Sequence, residues 1–328
     1  MASDFSTSAA SRRALIFFDQ ADIFLPRLIE RFPAIEFSAC GAHDELPGML
    51  NRIRPEIILA FKFEGRPFPR RELLACEALR WLSLAFAGVD VLMPWDDARL
   101  TVTNAAGVAA EEMARYAFAA ILGLFQGFPE LHARQVKKSW QFHSHRSARD
   151  ATLGLVGLGH SGRAIARMAR AIGLRVFACR NSAQPSEEVD AVFPREQLHE
   201  MLGRVDVALL CAPLTPLTRD LFGAAAFAAM KPGSFFINMA RGAMVEESAL
   251  IEALLTGHLA GAVLDVTRTE PLPASDPLWD APNLLITPHS SSEYDGWISD
   301  AALMFADNLD RWIHARPLQN RVHPDRGY

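Results

Sequence analysis

Short apolar runs recur along the chain, each closed by glycine, proline or a polar cluster. Residues 14–18, 35–38, 57–61, 81–85 and 101–103 read as strands, with helical patterns at 23–31 and 70–76. This alternation predicts a parallel sheet with helices on both faces. A long alanine-rich helix follows at 109–125, and its breadth of apolar surface predicts burial between domains or subunits. A second series of strands falls at 153–156, 174–179, 207–211, 235–238, 261–266 and 284–287. Helices at 162–172, 195–202, 224–230 and 247–255 lie between them, giving a doubly wound sheet on the scale of six strands. An amphipathic helix at 299–315 comes after the last strand. There the chain can return to the first domain, which would make that domain discontinuous. No internal repeat or low-complexity tract interrupts the pattern.

Composition narrows the class. The 328 residues are 50% hydrophobic and 22% charged, enough for two domains each with its own core. A net charge of −5 and a pI of about 6.1 offer no basic footprint for nucleic acid. Cys40, Cys76, Cys179 and Cys211 are far apart and lack C-x-x-C spacing. They read as small buried residues in a reducing compartment. Arg12 and Arg13 precede the apolar run at 14–18, but Asp19 ends it, too early for a signal segment or a membrane span. Residues 1–11 are small and polar, as in a frayed terminus. A cytoplasmic protein with neither membrane nor nucleic-acid partner is expected.

The glycines after the strand at 153–156 bring in chemistry. Gly157, Gly159 and Gly162 have the spacing G-x-G-x-x-G, and strand, turn, helix and strand follow within about 30 residues. Gly157 permits the tight turn, Gly159 lets backbone approach a pyrophosphate, and Gly162 lets the helix pack close to the strand. The helix N-terminus, with His160 and Ser161, faces the phosphates. In NAD-binding versions the second strand ends in an acid that holds the ribose hydroxyls. Here Cys179 is followed by Arg180, Asn181 and Ser182, and the next acid is Glu187. A guanidinium pairs with a 2′-phosphate that a carboxylate would repel, so NADP(H) is the expected cofactor.

Three further signatures follow in order. Cys211, Pro213, Leu214, Thr215 and Thr218 form a strand-to-loop motif. Residues 230–250 carry Asn238, Ala240, Arg241 and Gly242. Leu264, Asp265 and Val266 lead through Glu270, Pro271 and Pro273 to Thr287, Pro288 and His289. Together with the glycine turn, these motifs resemble the D-isomer-specific 2-hydroxyacid dehydrogenase family over nearly the whole chain, most strongly from Leu82 onward. Arg180 and the Trp140 segment make the chain most similar to the NADPH-linked glyoxylate and hydroxypyruvate reductases. The resemblance implies an α/β fold of two doubly wound parallel-sheet domains. A Rossmann-type cofactor domain (104–291) is inserted into a flavodoxin-like substrate domain (1–103 and 292–328).

A 2-keto acid offers a carboxylate to hold and a ketone to reduce, so reduction needs hydride at carbon and a proton at the developing alkoxide. Arg241 follows a strand at the sheet edge where such ligands bind. Its fork can grip the carboxylate and polarise the ketone, the role the resemblance assigns to it. His289 follows another strand, and histidine titrates near neutrality, so it can give the proton in reduction and take one in oxidation. The resemblance makes Glu270 the partner that holds this imidazole in one tautomer. It also implies that Ala87, Gly88 and Val89 offer backbone N–H groups to the substrate carboxylate. Asp265, Cys211, Pro213, Thr218, Ala240 and Ser291 would line the nicotinamide end of the cofactor site.

Trp140 would reach across a homodimer into the neighbouring active site, or bury its ring at the interface without touching substrate. His143 and His145 lack a third ligand, so no metal is expected. The chain departs from the family at Arg115, which reverses a charge on the long helix. It departs also at Ser290–Ser292, whose hydroxyls would contact the cofactor or cap a helix, and at Ser161, which would bond a phosphate. Two other readings stay open: an NADP(H)-sensing regulator on the same scaffold, and a dehydrogenase of another small anion such as formate or phosphite.

Overall fold

The protein is described from a computed structural model at residues 12–63, 65–182 and 184–327. The expectation for residues 1–11 lies outside the described residues. The chain divides into two units, Met1–Val108 with Gly296–Tyr328, and Ala109–Asp295.

The first unit opens with β1 (Arg12–Phe17), α1 (Leu25–Arg31), β2 (Ile35–Cys40), α2 (Leu46–Ile53) and β3 (Ile57–Ala60). It continues through α3 (Arg70–Ala75), β4 (Trp81–Leu84) and β5 (Thr101–Thr103). Every residue of β3 and β4 is buried, because helices cover both faces of a parallel sheet. The strands run parallel in the order β2-β1-β3-β4-β5, the flavodoxin-like arrangement expected.

The second unit begins with α4 (Ala110–Phe125) and α5 (Phe128–Val136). Then come β6 (Thr152–Val156), α6 (His160–Ala171), β7 (Arg175–Arg180), β8 (Ala191–Pro194), α7 (Leu198–Leu202), β9 (Val207–Leu210) and α8 (Ala224–Ala229). β10 (Ser234–Asn238), α9 (Glu247–Leu255), β11 (Leu259–Leu264) and β12 (Leu284–Ile286) complete it. The sheet has seven strands in the order β12-β11-β10-β9-β6-β7-β8, one more than the apolar runs indicate. Its order reverses between β6 and β9, the place where open α/β sheets bind ligands beyond the strand ends. α6 starts at His160, two residues earlier than the glycine spacing predicts. The buried alanines of α4 share one core with Ala164, Ala166 and Ala169 of α6. So α4 buries its small-residue face against α6 within its own unit.

The chain then returns to the first unit as α10 (Trp297–Ile313) and β13 (Arg321–Val322). Ala301, Ala302, Phe305, Ala306 and Leu309 of α10 join the core beside β1 and β3. Trp81 stacks on Phe305 and Trp312 with ring centroids 5.3 and 5.5 Å away, and its Nε1 donates to Thr103 Oγ1 at 2.9 Å. β13 pairs antiparallel to β5, so this sheet is not purely parallel. Among the described residues no helix is long and apolar enough to cross a membrane.

Candidate active site

Three neighbouring strands, β10, β11 and β12, end on the same edge of the second sheet, and the loops that leave them carry Arg241, Glu270 and His289. His289 Nδ1 lies 2.8 Å from Glu270 Oε2, and Glu270 Oε1 accepts the Thr267 N–H at 3.1 Å. Burial pushes the Glu270 carboxyl up. The hydrogen bond and charge of His289, the Thr267 amide and the charge of Arg241 outweigh that, so its pKa falls below the usual value. A carboxylate on Nδ1 fixes that nitrogen as the proton-bearing one and leaves Nε2 for chemistry. His289 has a φ of 52°, a left-handed conformation rare for histidine. Its own N–H holds it there by donating to the Asp265 carbonyl at 2.7 Å.

Arg241 is held by its neighbours. Asn238 accepts the Ala240 N–H and donates to the Arg241 carbonyl, both at 3.0 Å, while Arg241 Nη1 donates to the Ala240 carbonyl at 2.7 Å. Gly242 lies under the loop that leads to Glu270. A Cβ built on it would overlap the Thr267 carbonyl and the Arg268 amide nitrogen. The Arg241 and Glu270 loops are therefore pressed backbone to backbone.

Asp265 has partners within the chain. Its carboxylate is buried and accepts from Thr287 Oγ1 at 2.7 Å, Ser290 N at 2.8 Å and Ser291 N at 3.1 Å. Thr287 spends its proton on Asp265, so the 2.6 Å contact between Thr287 Oγ1 and the Tyr116 hydroxyl has Tyr116 as donor. Burial pushes the Tyr116 phenol up to about 12, which keeps it a donor at neutral pH. This chain anchors the loop bearing His289 to α4. Sequence reasoning missed Tyr116 and placed Asn238 and Thr287 in motifs without a role. Tyr116 carries no local signal, since it meets Thr287 only through tertiary packing. Asp265→Asn should destabilise this loop by about 1–3 kcal/mol, because its amide cannot accept the Ser291 N–H. Hydrogen exchange of the Ser290 and Ser291 amides would check it; unchanged protection would mean the carboxylate is dispensable.

The other expected site residues are distributed unevenly. Gly157 has a φ of 110°, and a Cβ there would come within 2.8 Å of the Ala212 amide nitrogen, so the turn requires glycine. Gly162 packs against the Gly157 carbonyl. Around Gly159 no atom lies within 4 Å of a built Cβ, so the N-terminus of α6 opens onto free space, as a bound pyrophosphate requires. His160 and Asn181 are exposed there. Arg180 is half-buried, with Nε and Nη2 donating to the Ser182 and Gln184 carbonyls at 2.9 and 2.8 Å.

Several side chains instead have internal partners. The Ser161 hydroxyl meets Met113 Sδ at 3.3 Å, and the Cys211 thiol meets the Gly157 carbonyl at 3.2 Å, with its pKa pushed up by burial to about 12. Thr218 Oγ1 donates to the Pro213 carbonyl at 2.8 Å, bracing its own loop. Ala87, Gly88 and Val89 follow β4 in the first unit, where Asn104 Nδ2 donates to the Ala87 carbonyl at 2.6 Å. Trp140 is wholly exposed, as is Phe142 nearby. His143 is half-buried against Gly127. Among the described residues no group of three His, Cys, Asp or Glu could hold a metal.

The second unit therefore has a glycine turn at the head of α6 and an arginine, a histidine and a carboxylate at the ends of its neighbouring strands. The pattern described as D-isomer specific 2-hydroxyacid dehydrogenase, NAD binding domain, matches residues 118–291. Glyoxylate/hydroxypyruvate reductase A of Serratia proteamaculans is 30% identical over 282 residues, 83% of this chain and 86% of that protein. A D-isomer specific 2-hydroxyacid dehydrogenase from Xanthobacter autotrophicus, solved with NADPH and MES, superposes with a TM-score of 0.82 at 30% identity, covering 97% of this chain and 100% of that one. An NADPH-dependent glyoxylate/hydroxypyruvate reductase from Sinorhizobium meliloti, solved with NADP and sulfate, gives 0.79 at 25% identity, covering 97% and 100%. On this match of sequence and fold, the chain belongs to the D-isomer specific 2-hydroxyacid dehydrogenase family.

Proposed function

We propose that this protein reduces a small 2-keto acid, such as glyoxylate or hydroxypyruvate, to the (R)-2-hydroxy acid using NADPH. The observation that carries this reading is the 2.8 Å pair of His289 and Glu270, with Arg241 on the neighbouring strand end. When bound, the cofactor supplies hydride to the ketone carbon. Arg241 grips the substrate carboxylate and polarises the ketone. His289 gives a proton from Nε2 to the developing alkoxide. Glu270, hydrogen-bonded to Nδ1, keeps the ring oriented before and after the transfer. The protein works as a cytoplasmic homodimer, and the exposed Trp140 is what its partner would cover.

The N-terminus of α6 would hold the pyrophosphate, and Arg180 would read the 2′-phosphate. Two observations support NADPH over NADH. Arg180 is tied only to neutral carbonyls, and no carboxylate among the described residues pairs with it, so its charge is available. The Xanthobacter and Sinorhizobium relatives were solved with NADPH or NADP. The test mixes purified protein with glyoxylate, hydroxypyruvate, pyruvate and phenylpyruvate, and follows consumption of NADPH and then NADH. NADPH should turn over faster, and Arg180→Ala should cut kcat/KM for NADPH roughly 10- to 100-fold while sparing NADH. Faster turnover with NADH would overturn the cofactor assignment; NADPH binding without turnover of any acid would favour a sensor.

A further inference from the structure

A cavity of about 670 Å³ opens between α6 and the segment joining β7 to β8. Arg163, Arg167 and Arg170 of α6 line it together with Arg180 from the end of β7. The four guanidinium groups are engaged differently. Arg167 pairs with Glu111 at 2.7 Å, and Arg170 donates to the Glu187 carbonyl at 2.6 Å. These two are tied to the framework. Arg180 bonds only carbonyl oxygens. Arg163 Nη1 donates to Glu188 Oε2 at 2.5 Å, and the Ser186 hydroxyl donates to the same oxygen. Those two hydrogen bonds, from Ser186 and then Arg163, hold the Glu188 carboxyl below its usual value, so it is charged at neutral pH.

One anionic oxygen that takes a hydroxyl and a guanidinium donor, in the cavity that Arg180 also lines, has the pattern by which proteins hold a phosphate oxygen. We propose that Glu188 is an internal stand-in for the cofactor's 2′-phosphate. It occupies Arg163 and Ser186 in the free protein, and the phosphate displaces it and takes both donors. This rests on the NADP(H) reading of Arg180. The exchange is favourable because a phosphate brings up to two charges and three acceptor oxygens against one carboxylate. The outgoing ion pair is partly exposed and holds weakly. Arg163 thus becomes the second guanidinium of the 2′-phosphate site, and Glu188 sets how tightly that site binds.

The test uses calorimetry on the full-length protein with two probes, adenosine 2′,5′-bisphosphate and adenosine 5′-monophosphate, which differ only in the 2′-phosphate. Glu188→Gln should tighten the bisphosphate about three- to tenfold, and Arg163→Gln should weaken it about tenfold, with the monophosphate unchanged in both. In the double variant Glu188→Gln should lose its effect, because no Arg163 remains to be released. If Arg180→Gln abolishes the preference for the bisphosphate while changes at 163 and 188 leave it intact, the stand-in is wrong and the NADP(H) reading survives. If the unaltered protein shows no preference between the probes, both fall.

Discussion

His289→Ala is expected to lower kcat by about a hundred- to ten-thousand-fold, the range contributed by a positioned proton donor. NADPH binding, followed by fluorescence, should be unchanged, because the imidazole lies at the ends of β11 and β12 rather than at the glycine turn. That separation is what makes the variant informative. A collapsed loop would weaken both, whereas a lost proton donor affects turnover alone. Full activity in His289→Ala would sink the mechanism. Glu270→Gln should give a smaller loss, since Nδ1 keeps a neutral acceptor. It should also change the acid side of the stability profile. The Glu270 carboxyl has a folded pKa depressed below its ordinary 4.5. Its stabilising contribution is therefore complete above that value and disappears as pH falls through the lower, folded one. Thermal melts in acid should show that fall in the unaltered protein and a shallower one in Glu270→Gln.

Gly242→Ala is expected to do more damage to the fold than any other single-methyl addition in the site. The added carbon has no side chain to push aside, only the Thr267 and Arg268 backbone. Overpacking costs typically about 1–3 kcal/mol where side chains can move, and the cost here should reach or exceed the top of that range. A loss of about 3 kcal/mol corresponds to a fall in Tm of roughly 6–12 °C for a unit of this size. Activity should fall further than stability, because the methyl forces the Arg241 and Glu270 loops apart. Gly48→Ala is the control, since nothing lies within 4 Å of its built Cβ. Equal melting of the two variants would show that the loops can separate freely.

Much of the architecture could be read from the chain because buried parallel strands leave unbroken apolar runs. β3 and β4 are both buried throughout, and both were visible. What escaped reading has local causes. β8 has four residues and ends in proline, and β13 has two. α2 contains Pro47 and Gly48, which read as breakers although proline is tolerated in a first turn. α5 buries no residue and has Pro129 in its first turn, which reads as a breaker. At the site, Arg241, Glu270 and His289 stand out by their motifs. The bracing around them does not, because the contact of Tyr116 with Thr287 joins α4 to the end of the last strand of its sheet. Nor does sequence distinguish a group kept for ligand from one used internally. Asp265 and Thr218 illustrate this, since both already have partners within the chain.

The stacking of Trp81 on Phe305 and Trp312 also bears on how the chain is made. Translation delivers β1 to β5 early, but the two rings that must cover Trp81 arrive only after the whole cofactor-binding unit has left the ribosome. The second unit is continuous in sequence and can fold as it emerges, whereas the first must wait with an apolar face uncovered. During that interval the nascent chain is a finished cofactor domain attached to an unfinished sheet, and that sheet is where a chaperone would be needed.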